Sequence, residues 1–135
     1  MARILVIDDD TQVRQVLEGF LTHDGHLVSS ATNGKEARTL LHNQPFDLVL
    51  TDIVMPEQDG FEVIMHLLSQ PERPRIVAIS GGSPTLSQQT LLAMATRMPI
   101  ERVLSKPISY EQLSAAVSEV LSVPPKTFSP KTDCR

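Results

Sequence analysis

The sequence predicts an α/β domain in which helices cover both faces of a doubly wound parallel sheet. Four runs of consecutive apolar residues have the character of strands buried on both faces, and a shorter segment adds a fifth strand. Segments with the apolar spacing of amphipathic helices lie between these runs. Strand and helix therefore alternate five times, which implies right-handed crossovers between parallel strands.

The predicted elements follow one another closely along the chain. The strands comprise residues 4–7, 27–29, 48–50, 76–79 and 103–104. The helices are indicated by the apolar spacing in residues 13–21, 34–44, 61–68, 85–96 and 113–121. We expect Asp10 to cap the first helix and Gly25 to end it. Ser109 and Gln112 have the spacing of a capping box at the start of the last helix.

Length and composition indicate one domain. The chain has 135 residues, of which 41% are hydrophobic, enough for a single core over residues 1–121. The proline-rich residues 122–135 are expected to form a flexible tail or linker. Sixteen acidic against 12 basic residues give a charge of −4, which argues against direct nucleic acid binding. A lone Cys134 and the lack of any apolar stretch of membrane length favour a cytoplasmic protein without a membrane partner.

Polar residues come at the carboxyl ends of four predicted strands. They are Asp8 and Asp9, Asp52, Ser80 and Lys106. The carboxyl ends of parallel strands share one edge of the sheet, where ligands bind. Three carboxylates at close range raise one another's pKa unless a cation compensates them, and Mg²⁺ prefers such oxygen ligands. With a lysine as fixed positive charge and a serine as hydroxyl donor, this group would stabilise phosphoryl transfer onto a carboxylate.

Each of these residues also has an ordinary structural interpretation. Asp52 alone would suit a turn, Ser80 beside two glycines would suit a loop, and Lys106 alone would be surface charge. Their joint occurrence at corresponding strand ends favours a functional site. The four histidines have no such pattern, and we interpret them as ordinary helix and loop residues.

In order and spacing, these motifs resemble the receiver domain of two-component response regulators, and in particular single-domain chemotaxis regulators. The resemblance covers about residues 2–121. The matching segments are Ile4–Asp10, Pro45–Pro56 continuing to Asp59 and Gly60, then Ser80, and Leu104–Pro107. The resemblance implies a flavodoxin-like (βα)5 sandwich with a five-stranded sheet of order 2-1-3-4-5.

The resemblance also implies roles for the acidic residues. Asp52 would accept the phosphoryl group, and Lys106 would contact it. Asp8 and Asp9 would hold Mg²⁺ together with Asp52 and the main-chain carbonyl of Val54. The phosphoryl donor would be a phosphohistidine on a sensor histidine kinase or a histidine phosphotransfer protein. The chain would then be a switch that promotes only its own phosphorylation and dephosphorylation, and not a metabolic enzyme.

Switching is expected to involve two further positions. The Ser80 hydroxyl would move toward the phosphoryl group in the active state, and the Lys106–Pro107 bond would be cis. Many family members carry an aromatic residue where this chain has Val103, so coupling between that position and Ser80 would take another form. The output would be a downstream target protein or an effector domain missing from this chain.

Two other functions fit parts of this pattern. A phosphatase of the haloacid dehalogenase type would use Asp8 and Asp10, but it needs a further acidic pair after the lysine and a cap domain. Only Glu111, Glu119 and Asp133 follow Lys106, so this function fits less well. An unphosphorylated, receiver-like interaction module is the other alternative.

Overall fold

The computed structural model describes residues 2–53, 60–70, 73–80 and 100–123, which contain a five-stranded sheet. The strands are β1 (Arg3–Ile7), β2 (Leu27–Ala31), β3 (Leu48–Asp52), β4 (Arg75–Ser80) and β5 (Arg102–Ser105). Their order is β2-β1-β3-β4-β5, and every neighbouring pair is parallel. The predicted sheet and its strand order are confirmed.

Helices pack on both faces of the sheet because successive residues of each strand point to opposite sides. The helices are α1 (Thr11–His23), α2 (Gly34–Asn43), α3 (Gly60–Leu68) and α4 (Tyr110–Leu121). Leu5 and Ile7 belong to an apolar cluster with residues of α2 and α3. Ile4 and Val6 belong to a second cluster with residues of α1 and α4. The two layers bury the strands between them, and the strand ends lie side by side at one edge of the sheet.

Local capping interactions set the ends of the helices. The Asp10 carboxylate accepts hydrogen bonds from the main-chain nitrogens of Gln12 and Val13, at 2.9 and 3.2 Å, and so caps α1. Gly25 follows the end of this helix with φ of 90°, a conformation that favours glycine. Ser109 and Gln112 form the predicted capping box of α4. All three of these predictions are confirmed.

The structure corrects the strand ends. β2 continues to Ala31, two residues beyond the prediction, because the main chain of Ser30 and Ala31 still pairs with β1. Asp52 and Ser80 are the last residues of their strands, and do not follow them. The predicted helix over 85–96 and residues 124–135 of the predicted tail lie outside the described residues. In the part of the chain that is described, no helix has the length and apolar character needed to span a membrane.

A buried ion pair joins the chain entering β4 to the chain entering β5. The side chains of Arg73 and Glu101 are only 5% and 2% exposed, and Arg73 Nη2 lies 3.1 Å from Glu101 Oε2. Arg73 Nη1 donates to Glu101 Oε1 at 3.2 Å, and the same oxygen accepts from the main-chain nitrogen of Ile76 at 2.7 Å. The pair therefore fixes the amino ends of two strands, at the edge of the sheet opposite Asp52.

Candidate functional site

The carboxylates of Asp8 and Asp52 lie together at the carboxyl edge of the sheet, because β1 and β3 are neighbours. Lys106 follows β5 and brings its ammonium group to both of them. Its Nζ lies 3.1 Å from Asp8 Oδ2 and 3.0 Å from Asp52 Oδ2. The structure thus brings together three of the residues that the strand-end pattern selected.

Asp8 is completely buried, although it is an acidic residue. Its main-chain nitrogen donates to the carbonyl of Ala31 at 3.2 Å, and its Oδ1 accepts from the main-chain nitrogen of Asp10 at 2.9 Å. Its Oδ2 accepts no hydrogen bond from any described residue, since Lys106 approaches within ion-pair distance but without the direction of a hydrogen bond. A buried carboxylate oxygen in this state retains the capacity to bind a cation.

Asp9 completes an acidic cluster with these two residues. Asp8, Asp9 and Asp52 each offer one carboxylate oxygen, and the three atoms lie within 4.8 Å of one another. Asp9 is exposed, so the cluster opens to solvent on its side. Hard oxygen ligands, a partly open position and the unsatisfied Asp8 Oδ2 fit Mg²⁺, which binds through one or two carboxylates and keeps several waters.

Lys106 is held in its charged form. Burial by itself would lower its pKa, but the charges of Asp52 and Asp8 and the hydrogen bond that it donates to Asp52 outweigh this effect. The pKa of Lys106 is therefore raised above its usual value, and the group is an ammonium at neutral pH. Among the described contacts, the ammonium of Lys106 reaches the carboxylates of Asp8 and Asp52, and the carboxylate of Asp9 lies close by.

Hydrogen bonds also hold the main chain at the end of β3, beside Asp52. The buried Thr51 hydroxyl donates to the carbonyl of Asp52 at 3.0 Å, an interaction that the sequence did not indicate. The main-chain nitrogen of Ile53 donates to the carbonyl of Ile79 at 3.0 Å and ties the end of β3 to β4. The Lys106–Pro107 peptide bond is cis.

Two predicted site residues lie partly or wholly outside the described residues. Val54 lies outside the described residues, and of Ser80 only the main chain is described. That main chain pairs with Ser105, directly before Lys106, so Ser80 occupies the same edge of the sheet. Val103 is half-buried, pairs with Ala78 and packs against the apolar cluster below α2 and α3.

Arg14 is the residue at this edge that sequence reasoning missed. Its Nη1 donates to the main-chain carbonyl of Asp8 at 2.8 Å. The sequence pattern of α1 drew attention only to its apolar stripe. A basic residue four positions after the acidic run Asp8–Asp10 was a signal that could have been used.

A sequence model described as the response regulator receiver domain matches residues 4–118, most of the chain. The chain belongs to this family. The family membership that the motifs indicated is confirmed, and with it a place in two-component signalling. Receiver domains are signalling modules, not typical enzymes.

Relatives of two lengths match the chain. Protein PilH of Pseudomonas aeruginosa is 34% identical over 122 residues, which are 90% of this chain and 99% of PilH. An uncharacterized 14.6 kDa protein of Leptolyngbya boryana is 33% identical, over 90% of this chain and 92% of that protein. The probable transcriptional regulator ycf27 of Cyanidium caldarium is 29% identical over 87% of this chain, which spans only 45% of that regulator.

Solved structures agree with the fold. The chemotaxis response regulator CheY4 of Vibrio cholerae has a TM-score of 0.74 at 27% identity, over 89% of this chain and 98% of that one. A response regulator receiver domain protein from Clostridium thermocellum has a TM-score of 0.75 at 27% identity, over 90% and 95% of the two chains. NtrX from Brucella abortus, at 24% identity, shares the fold with a TM-score of 0.81 over 90% of this chain and 27% of NtrX.

Proposed function

We propose that this chain is a phosphorylation-dependent switch that accepts a phosphoryl group on Asp52. The observation that carries the proposal is the position of the Asp52 carboxylate at the end of β3, 3.0 Å from Lys106 Nζ and within a cluster of three carboxylates. Asp8 is fully buried, whereas the side chain of Asp52 keeps 8% exposure. Asp52 is therefore the better placed of the two to reach a donor that approaches from solvent.

The donor would be a phosphohistidine on a sensor histidine kinase or a histidine phosphotransfer protein. An Asp52 oxygen attacks phosphorus, and the new P–O bond forms as the P–N bond to the donor imidazole breaks. The imidazole leaves with the electron pair of that bond. Lys106 lies where its charge stabilises the phosphoryl oxygens, and such positioning and charge neutralisation account for most of the catalysis of phosphoryl transfer. Slow hydrolysis of the acyl phosphate would reset the switch.

Mg²⁺ would be held by Asp8, Asp9, Asp52 and the main-chain carbonyl of Val54. When bound, it would supply positive charge to the phosphoryl oxygens. The support for this ligand set comes from the three convergent carboxylates and from the unsatisfied Oδ2 of Asp8.

Phosphorylation would place strong acceptor oxygens on Asp52. The hydroxyl of Ser80 and the ammonium of Lys106 would move toward them, and this movement would bias the segment after β4. Because Val103 has no aromatic ring, the coupling would pass through aliphatic packing at this position. The changed surface would then bind a different set of partners.

The output would pass to a downstream target protein or to an effector domain. The lengths of the relatives accommodate both, since PilH is matched over 99% of its length and the ycf27 regulator over 45%. Residues 1–121 would form the receiver domain, and 122–135 a tail or linker. Histidine kinases draw on ATP, so we place the switch in the cytoplasm.

Intact-mass spectrometry after incubation with acetyl phosphate tests the proposal. The wild-type chain is expected to gain one phosphoryl adduct that depends on Mg²⁺, and Asp52→Asn should lose it. Asp47→Asn is the matched control, because it makes the same change of charge at the other end of β3. Asp47 is exposed, and its carboxylate accepts only a main-chain contact from Arg3 at 2.8 Å among the bonds described.

The outcomes separate the candidate functions. If Asp52→Asn gained as much phosphoryl adduct as the wild type, the phosphoryl acceptor would be a residue other than Asp52. No adduct on the wild type, with Mg²⁺ binding demonstrated, would overturn the proposal in favour of an unphosphorylated interaction module.

A further inference from the structure

Arg14 stands at an unfavourable place for a cation. It lies just after the first turn of α1, at the positive end of the helix dipole, and the first turn of this helix contains no acidic residue. The helix dipole therefore does not explain a basic side chain here. The reason has to be sought in the contacts of its guanidinium group.

Those contacts bridge the end of β1 and the start of α1. Arg14 Nη1 donates to the main-chain carbonyl of Asp8 at 2.8 Å, and Nη2 lies 3.4 Å from the Thr11 hydroxyl. Its main-chain nitrogen donates to the carbonyl of Asp10 at 3.0 Å. Asp8 Oδ1 in turn accepts from the Asp10 nitrogen. The peptide group that links Asp8 to Asp9 is thus held on its carbonyl side by a guanidinium group.

We propose that Arg14 is a positioning residue for the acidic pair, holding the Asp8–Asp9 peptide so that both carboxylates point toward the cation that they share with Asp52. The inference rests on the proposed function, because it assigns Mg²⁺ to that cluster. It concerns the affinity of the site for the metal, and assigns no contact between Arg14 and the phosphoryl group.

The direction in which Mg²⁺ affinity changes when Arg14 is replaced distinguishes a positioning role from a purely electrostatic one. A cation near the cluster repels Mg²⁺, so if Arg14 acted only through its charge, its removal would tighten Mg²⁺ binding. If Arg14 positions the ligands, its removal loosens Mg²⁺ binding despite the lost repulsion. Residues that orient metal ligands typically change affinity by roughly 10- to 100-fold when they are replaced.

Glu36 provides a control for the other charge interaction of Arg14. The Glu36 carboxylate accepts hydrogen bonds from the hydroxyl and main-chain nitrogen of Thr32, and these lower its pKa. Burial opposes the shift, and the charge of Arg14 adds to it. Glu36→Gln removes this attraction and leaves the contact to the Asp8 carbonyl in place. Arg38→Met removes the same charge as Arg14→Met from the exposed part of α2.

The test is an amide NMR titration of the 135-residue protein with MgCl2. We expect Arg14→Met to raise the Mg²⁺ dissociation constant about tenfold or more. Arg14→Lys should recover most of the affinity, because the ammonium can donate to the Asp8 carbonyl. Glu36→Gln and Arg38→Met should change it far less. The Asp10 amide should also exchange faster in Arg14→Met, since its acceptor on Asp8 is no longer held.

Unchanged or tighter Mg²⁺ binding by folded Arg14→Met would overturn the inference and leave the proposed function intact. If Arg14→Met does not fold, Arg14→Gln, which is uncharged but polar and too short for the contact, carries the same expectation. A purely structural role would lower thermal stability without changing the affinity of the folded protein. Absence of Mg²⁺ binding by the wild type would overturn this inference and the proposed metal site together.

Discussion

Replacing Arg73 by methionine removes the cation from the buried pair at the amino edge of the sheet. Glu101, which is 2% exposed, then loses two guanidinium contacts of 3.2 and 3.1 Å and keeps the hydrogen bond from Ile76 at 2.7 Å. A buried carboxylate without its counter-ion destabilises a protein by about 3–5 kcal/mol. The free energy of unfolding of a domain is only about 5–15 kcal/mol, so this loss should be a large share of it.

Urea unfolding followed by circular dichroism measures this loss. The free energy of unfolding falls by roughly 2 kcal/mol per molar urea, so a loss of about 3–5 kcal/mol lowers the urea midpoint by about 1.5–2.5 M. The slope itself should be unchanged, because the extent of the core is unchanged. In Arg73→Met/Glu101→Gln the second substitution should recover part of the loss, since glutamine has no charge to bury and can still accept from Ile76.

A matched pair on the surface serves as the control. Arg102 and Glu119 also form an ion pair, but their side chains are 43% and 65% exposed. Exposed pairs contribute about 0–1 kcal/mol, so Arg102→Met should shift the midpoint little. A loss below about 1 kcal/mol for Arg73→Met would refute the reasoning, because it would mean that Glu101 is solvated or neutral without its partner.

Two further predictions concern α4 and the acidic site. Tyr110 is the only tyrosine in a chain without tryptophan, so ultraviolet absorbance follows its ionisation alone. The hydrogen bond that it donates to Asp24, then burial and the Asp24 charge, raise its pKa, so Asp24→Asn should lower the titration midpoint. The stability that this hydrogen bond contributes is present below the ordinary tyrosine pKa and is lost as the pH rises through the raised pKa of Tyr110. An unchanged titration midpoint of Tyr110 in Asp24→Asn would contradict the prediction. Lys106→Met should slow phosphoryl uptake from acetyl phosphate. It should also tighten Mg²⁺ binding in an amide NMR titration, because the substitution removes a competing cation from Asp8 and Asp52. Weaker Mg²⁺ binding would show that Lys106 instead orders the carboxylates.

The convergence of Asp8, Asp52 and Lys106 could be predicted because it follows from two regularities. Continuous apolar runs mark parallel strands, and the carboxyl ends of parallel strands meet at one edge. The caps at Asp10 and Ser109 could be predicted for a similar reason, since a cap is formed within three residues of its own position. In both cases the relevant interaction leaves a pattern in the sequence.

The interactions that could not be predicted join a side chain to a distant or main-chain group. Arg73 and Glu101 are 28 positions apart, and nothing in their neighbourhoods distinguishes them from surface residues. The position of Arg14 after the acidic run Asp8–Asp10 was a signal for this edge, but its acceptor is a main-chain carbonyl, which every residue has, so the contact itself leaves no pattern. The predicted end of β2 is wrong because main-chain pairing continues past Ser29 through the polar Ser30 to Ala31.

Two buried ionic groups among the described residues differ in the number of carboxylates that one cation contacts. At the amino edge the Arg73 guanidinium makes paired contacts with the carboxylate of Glu101. At the carboxyl edge Lys106 faces two carboxylates directly, with Asp9 close by. Carboxylates brought close together raise one another's pKa unless a cation compensates them, so their convergence favours a metal ion at the carboxyl edge. Buried charge is common to both edges, and the convergence of three carboxylates distinguishes the edge that contains Asp52.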